Sequence, residues 1–166
     1  MKLTVDKIVK IGIVAAIYFA LTIVFSAISY GPIQFRVAEI LNMLTFYHPM
    51  FGPGITLGVF LSNINSPLGL YDLFFGTLHT AISLFFMART KNKILASLWP
   101  SIFSFIIGFE LFLLYGGGFK GFLSMTLSVM VSELFICTFI SLAVYGILEK
   151  NKAFQDMIKK LDYIKK

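Results

Sequence analysis

Residues 11–35 read IGIVAAIYFALTIVFSAISYGPIQF, and no side chain among them carries a charge. About 20 apolar residues are enough for a helix to cross the hydrocarbon core of a bilayer, so this stretch alone predicts a transmembrane helix. Lys2, Lys7 and Lys10 ahead of it and Ala27-Ile28-Ser29 near its end imitate a secretory leader. A signal core, however, runs only about 7 to 15 residues, and the segment is read as a retained span.

The rest of the chain has the same composition. Of its 166 residues 58% are hydrophobic, 16% aromatic and only 13% charged, with a mean hydropathy of +0.87. A soluble domain of this size could not cover so much apolar surface with so few charges. Gly31-Pro32 ends the first span, Pro49 and Gly52-Pro53-Gly54 close a short helical stretch, and Asn63-Ile64-Asn65-Ser66-Pro67 stops the next. The predicted fold is therefore all-α, one integral membrane domain over 1–166. Its six transmembrane helices fall at about 8–29, 34–48, 54–64, 70–89, 94–115 and 122–148, and a basic tail follows from Glu149.

Six spans sort the basic residues. Lys2, Lys7 and Lys10 precede the first, Arg89, Lys91 and Lys93 lie between the fourth and fifth, and Lys150, Lys152, Lys159, Lys160, Lys165 and Lys166 follow the sixth. Only Arg36 and Lys120 remain for the other side. This bias predicts a multi-pass protein of a bacterial cell membrane with both termini cytoplasmic. It also accounts for the net charge of +6, which is not read as a nucleic-acid footprint.

Against this background four carboxylates stand out: Glu39, Asp72, Glu110 and Glu133. An ionisable group at the centre of a membrane helix costs about 2.5 to 3.5 kcal/mol on even the mildest scale. In the six-span register all four fall in the outer half, Glu110 about 7 Å and Glu133 about 17 Å from the outer ends of their helices. Asp72, Gly76, His79 and Ser83 share one helix face, Ser124, Ser128 and Ser132 form a stripe beside Glu133, and Asn63, Asn65 and Ser66 cap the third span. Gly116-Gly117-Gly118 supplies a flexible outer loop, and Phe74, Phe75, Phe109 and Tyr115 supply aromatic walls. Such a lining suits a planar, nitrogen-rich, cationic ligand.

Several of these residues also have a structural reading. Arg36 and Glu39, three apart, can pair at a helix end; His79 can serve an internal hydrogen bond; the serine stripe can be packing glue. Glu110 and Glu133 have no basic partner within their spans, which favours a functional role. Gly12, Ala16 and Ala20 make a smooth strip for a helix of this chain or of another. Cys137 is the only cysteine, which excludes an intrachain disulfide, a zinc knuckle and a redox pair.

Absences narrow the function further. There is no P-loop for ATP, and Gly52, Gly54 and Gly58 only mimic a dinucleotide fingerprint, because no strand precedes them. Neither a nucleophile elbow nor a zinc-protease helix is present, so the chain is read as a non-enzyme without cofactor or resident metal. Six short spans are few for a carrier built from two repeats. A substrate-binding subunit that borrows energy from partner proteins fits best.

The run Gln34-Phe35-Arg36-Val37-Ala38-Glu39-Ile40-Leu41, then the Pro/Gly-rich break, Gly54, Gly58, Asn63, Asp72 with Gly76-Thr77-Leu78, Glu110-Leu111 and Ser132-Glu133-Leu134, resembles the QueT family over nearly all six spans. One departure is Phe46-Tyr47-His48-Pro49, where the family more often has a purely apolar stretch. The resemblance implies the substrate-binding S component of an energy-coupling factor (ECF) transporter for queuosine precursors. Such a subunit captures a 7-deazaguanine from outside and topples in the membrane as it docks on a transmembrane T component. Two partner ATPases then drive release. The resemblance also implies that Gly12, Ala16 and Ala20 are the docking strip. Glu110 and Glu133 are the leading ligand contacts, one for the guanine-like edge and one for a cationic arm, with Asp72, Asn63, Glu39, Arg36 and His79 around them. An S component for another purine-like or cationic nutrient, a vitamin or a metal, a proton- or cation-coupled small carrier or channel with Glu133 and His79 as relay, and a membrane enzyme or assembly factor remain as alternatives.

Overall fold

The computed structural model describes residues 4–30 and 34–161. The Gly31-Pro32 break and Lys2, Lys165 and Lys166 of the charge count lie outside the described residues. Among the described residues every regular element is helical: α1 (Val5–Val24), α2 (Val37–Tyr47), α3 (Phe51–Asn63), α4 (Leu70–Arg89), α5 (Lys93–Tyr115), α6 (Gly118–Leu148) and a short α7 (Lys152–Lys159), with one extra turn at Ser26–Ser29. The expected apolar segments thus all appear as helices, but only α1, α4, α5 and α6 have the length and apolarity to cross a membrane. At 1.5 Å per residue, α2 and α3 reach only about halfway through.

Three local irregularities position the interior. The first is α2, which runs as a 3-10 helix over Val37–Met43 before an α turn at Leu44–Tyr47. It is sunk among the other helices, with Ala38, Glu39, Asn42, Met43, Leu44 and Thr45 buried, and it packs on α1 and α6. The second is α5, which carries Pro100 in its interior and breaks at Ser104. The Ser104 N–H bonds to Ser101 O at 3.3 Å, and the Pro100 carbonyl is taken instead by His79 Nε2 at 2.9 Å. The third is α6, which widens into a π-helix over Leu134–Ile140. Such bulges reaim side chains and recur at functional sites.

The tightest helix contact uses Gly54 and Gly58 of α3. A Cβ at Gly54 would sit 2.7 Å from Ile11 O, and one at Gly58 would sit 2.8 Å from both Ala15 O and Tyr18 Cβ. Two glycines four apart thus let the backbones of α1 and α3 meet, which explains the spacing that imitates a dinucleotide fingerprint.

One end of the bundle gathers the basic residues. Lys10 of α1 lines a groove with Asp156 and Lys160 of the tail. Lys93 Nζ pairs with Glu149 Oε2 at 2.8 Å, and the Tyr47 hydroxyl donates to Glu149 Oε1 at 2.7 Å. Tyr47 stacks on Tyr145 at 5.4 Å and meets Phe154 edge-on at 5.3 Å. His48 Nδ1 accepts the Met50 N–H at 3.1 Å, so Nε2 carries the proton donated to Leu161 O at 3.2 Å. The Tyr47-His48 departure is therefore a seam closing this end.

Candidate functional site

The four carboxylates fall into three environments. Asp72, with 0% exposure, faces Arg36, whose guanidinium reaches both oxygens at 2.9 and 3.0 Å. Arg36 Nε also donates to Ser29 O at 3.1 Å, and the guanidinium lies 5.4 Å from the Tyr30 ring centroid. Arg36 caps α2 in an extended conformation (φ −93°, ψ 96°), which turns its side chain out of the helical register and toward α4. That is why it pairs with Asp72 and not with Glu39, three residues on. Gly76, one turn after Asp72, leaves the room: a Cβ there would stand 2.5 Å from Asp72 Oδ1 and 2.6 Å from Asn63 Nδ2. Asn63 Nδ2 donates to Asp72 O at 2.8 Å.

The second environment joins α2 and α6. Residues three apart eclipse in a 3-10 helix, so Glu39 and Asn42 project together, and both meet Cys137 of the π segment. The Cys137 Sγ lies 3.4 Å from Glu39 Oε2, 3.2 Å from Glu133 Oε2 and 3.9 Å from Asn42 Nδ2. Glu39, Asn42, Glu133 and Cys137 are all buried, and one ligating atom from each of the two carboxylates and the thiol lie within 4.8 Å of one another. Arg36 is already spent on Asp72, and a thiol offers one weak hydrogen to two carboxylates. Asn42 Oδ1 and the buried Tyr18 hydroxyl of α1 have no partner. Tyr18 lies within electrostatic range of Glu39, Glu133 and Cys137. Such an acceptor-rich set fits a cation, organic or metallic.

Glu110 is the third. Its exposure is 0% and neither carboxylate oxygen has a hydrogen-bond partner. The charges it feels are those of Asp72 and Arg36. Elsewhere in the bundle Asn63 Oδ1, Thr77 Oγ1 and Thr126 Oγ1 are buried and unpartnered as well. Native interiors leave few polar atoms in this condition, and each asks for an explanation.

His79 is committed to the Pro100 carbonyl, the structural bond that the sequence left open. Ser132 Oγ donates to Gln34 O at 3.3 Å, while Ser124, Ser128 and Ser132 line a surface groove of about 550 Å³ with Phe35 and Phe135. A groove of about 590 Å³ between α3 and α4 is apolar and holds none of the four carboxylates, which lie in the packed interior instead. Sequence reasoning did not single out Asn42 or Tyr18, quoted Gln34 only within the family-like run, and read Cys137 only for the chemistry it excludes. Gln34 has a positive φ of 48° and a buried, unpartnered Nε2. Only the Glu133–Cys137 spacing of four was a usable signal. Gly12, Ala16 and Ala20 lie exposed on α1, on the side away from the α3 contact.

The sequence profile described as QueT transporter matches residues 8–150. The chain belongs to the QueT transporter family. Over 79 residues it is 46% identical to a protein of Lactococcus lactis subsp. cremoris (strain MG1363) named Queuosine precursor transporter QueT. That stretch covers 46% of this chain and 46% of the Lactococcus protein, so the match spans just under half of the curated relative. No solved structure matches the chain. The QueT profile takes in all four carboxylates and Cys137, and the apolar helices fit a membrane protein.

Proposed function

We propose that this QueT-family chain is the substrate-binding S component of an ECF-type importer and that it takes up a queuosine precursor, a 7-deazaguanine. The observation that carries the reading is Glu110, a fully buried carboxylate with both oxygens unpartnered. A carboxylate accepts two parallel N–H bonds from a guanine-like edge, and a second carboxylate pairs with an ammonium arm. The Arg36–Asp72 pair and Asn63 frame this interior.

In this reading the chain is one domain of six spans, α2 and α3 being short ones shielded by their neighbours, with both termini cytoplasmic. The gathering of Lys10, Lys93 and Lys160 at one end of the bundle supports that orientation. The exposed Gly12, Ala16 and Ala20 strip on α1 supports docking on a T component, whose two ATPases supply the energy. Uptake of radiolabelled 7-deazaguanine by cells expressing the chain with an ECF module tests the reading. Uptake should require the ATPases, and Ala16→Leu or Ala20→Leu should abolish it while the purified variant still binds substrate. Uptake without ATPases would contradict the S-component role, and loss of binding in the Leu variants would contradict the docking strip.

A further inference from the structure

The division of the carboxylates assigns the two ends of the ligand, and it brings in a residue that sequence reasoning had set aside. Resting on the transport reading above, we propose that Glu39, Glu133 and Cys137 form the socket for a primary ammonium on the substrate, while Glu110 alone reads the guanine-like edge.

The valences of the two ends differ. An alkylammonium has three N–H donors arranged about one point and needs acceptors that converge. Glu39 and Glu133 converge, each with an oxygen in contact with the Cys137 sulfur at 3.4 and 3.2 Å. Asn42, which touches the same sulfur, is 3% exposed and leaves its Oδ1 unpartnered, so a third acceptor is at hand. The nearest cation, Arg36, gives its Nε to Ser29 O and its Nη2 to both Asp72 oxygens, and no hydrogen bond joins it to Glu39 or Glu133. His79 gives Nε2 to Pro100 O. Glu39 and Glu133 lie within hydrogen-bond reach of each other, and even one proton shared between them leaves more acceptors than hydrogens in the cluster; an entering ammonium supplies the missing donors.

Glu110 has the complementary property. It stands apart from that cluster, with Asp72 and Arg36 as its charged neighbours, and it has both oxygens open on one planar group. That suits two parallel N–H donors on a flat heterocycle, whereas a tetrahedral ammonium is better held by acceptors converging from several side chains. Cys137 acts as a specificity-determining residue: its sulfur holds the two socket carboxylates in register from the widened turn of α6, and as a soft, weakly hydrated group it yields to the stronger donor.

The test is titration calorimetry on the purified full chain with two probes, 7-aminomethyl-7-deazaguanine and unsubstituted 7-deazaguanine. Glu39→Gln and Glu133→Gln should each weaken the aminomethyl base by about tenfold to a hundredfold, while the unsubstituted base changes by less than about threefold. Cys137→Ala should act in the same sense with a smaller ratio. Glu110→Gln should weaken both probes alike. The ratio between probes within one variant is insensitive to partial misfolding, since misfolded protein binds neither. Equal losses for both probes in the Glu39 and Glu133 variants, or a loss confined to the aminomethyl base in Glu110→Gln, would overturn the assignment while leaving the transport reading intact. Failure of the wild type to bind either base would overturn both. One equivalent of zinc bound tightly by the wild type from Zn²⁺ alone, and released in Cys137→Ala, would show that the socket serves a metal and would also overturn the proposal.

Discussion

The Arg36–Asp72 pair and the Glu39–Glu133–Cys137 cluster are both buried and both built around α2, yet they are opposites. In the first, Asp72 has both oxygens on one guanidinium and a neighbouring amide on its backbone carbonyl. In the second, two carboxylates share a thiol, and among the described residues no cation donates a hydrogen bond to them, Arg36 acting on them only through space. A buried ion pair is costly to break, whereas crowded buried carboxyls without a counter-ion are costly to keep, so the two centres should answer mutation in opposite ways.

Breaking the paired centre should have the largest effect. Asp72→Ala leaves the Arg36 guanidinium buried without its counter-ion, a situation that typically costs about 3 to 5 kcal/mol. Thermal unfolding of the detergent-purified variant should show a large loss, or no folded protein at all. Near-wild-type stability would erase the distinction between the two centres.

The unpaired centre should respond in the reverse direction. Glu133→Gln keeps the shape and relieves the crowding of two buried carboxyls, so stability should hold or rise by up to about 2 kcal/mol. A melting temperature well below wild type would mean that Glu133 is a structural residue like Asp72.

A smaller change sharpens the frame that holds both centres. Gly58→Ala places a Cβ 2.8 Å from the Ala15 carbonyl and Tyr18, and overpacking of this kind costs about 1 to 3 kcal/mol. Gly12→Ala, where an added Cβ meets nothing within 4 Å, is the control and should leave the isolated chain unchanged. Equal melting temperatures for the two variants would refute the close α1–α3 contact.

The least effect belongs to the surface ion pair at the basic end. The Lys93 ammonium and the Tyr47 hydroxyl hold the Glu149 carboxyl below its ordinary value, although burial works against them. The pair's stabilisation is therefore present above the unfolded carboxylate value of 4.5 and is lost as pH falls through the lower folded value. Glu149 is 40% exposed, so solvent screening should keep the contribution under about 1 kcal/mol. Comparing the acid limb of stability for Lys93→Met and wild type measures it, and a difference that grows above pH 7 would have the wrong sign.

Much of this was legible in the sequence. Apolar runs and Gly/Pro breaks located the helices, and the carboxylates in a charge-poor chain announced the polar interior. The Arg36–Asp72 pair was hidden because it depends on an extended cap residue that leaves the helical register, and i, i+3 arithmetic assumes a regular helix. Cys137 was hidden for a related reason: the π segment decides where its sulfur points. The Gly54–Gly58 contact escaped notice because small residues four apart do not say which helix they admit, whereas Gly12, Ala16 and Ala20, read with the same rule, lie exposed.

The central claim is that this interior holds a 7-deazaguanine, and the most direct measurement is mass spectrometry of the small molecule that travels with the full chain through purification from cells supplied with queuosine precursors. The spectrum should show a 7-deazaguanine base, near one equivalent in wild type and strongly depleted in Glu110→Gln. A co-purifying nutrient of unrelated chemistry, retained equally by wild type and Glu110→Gln, would contradict it.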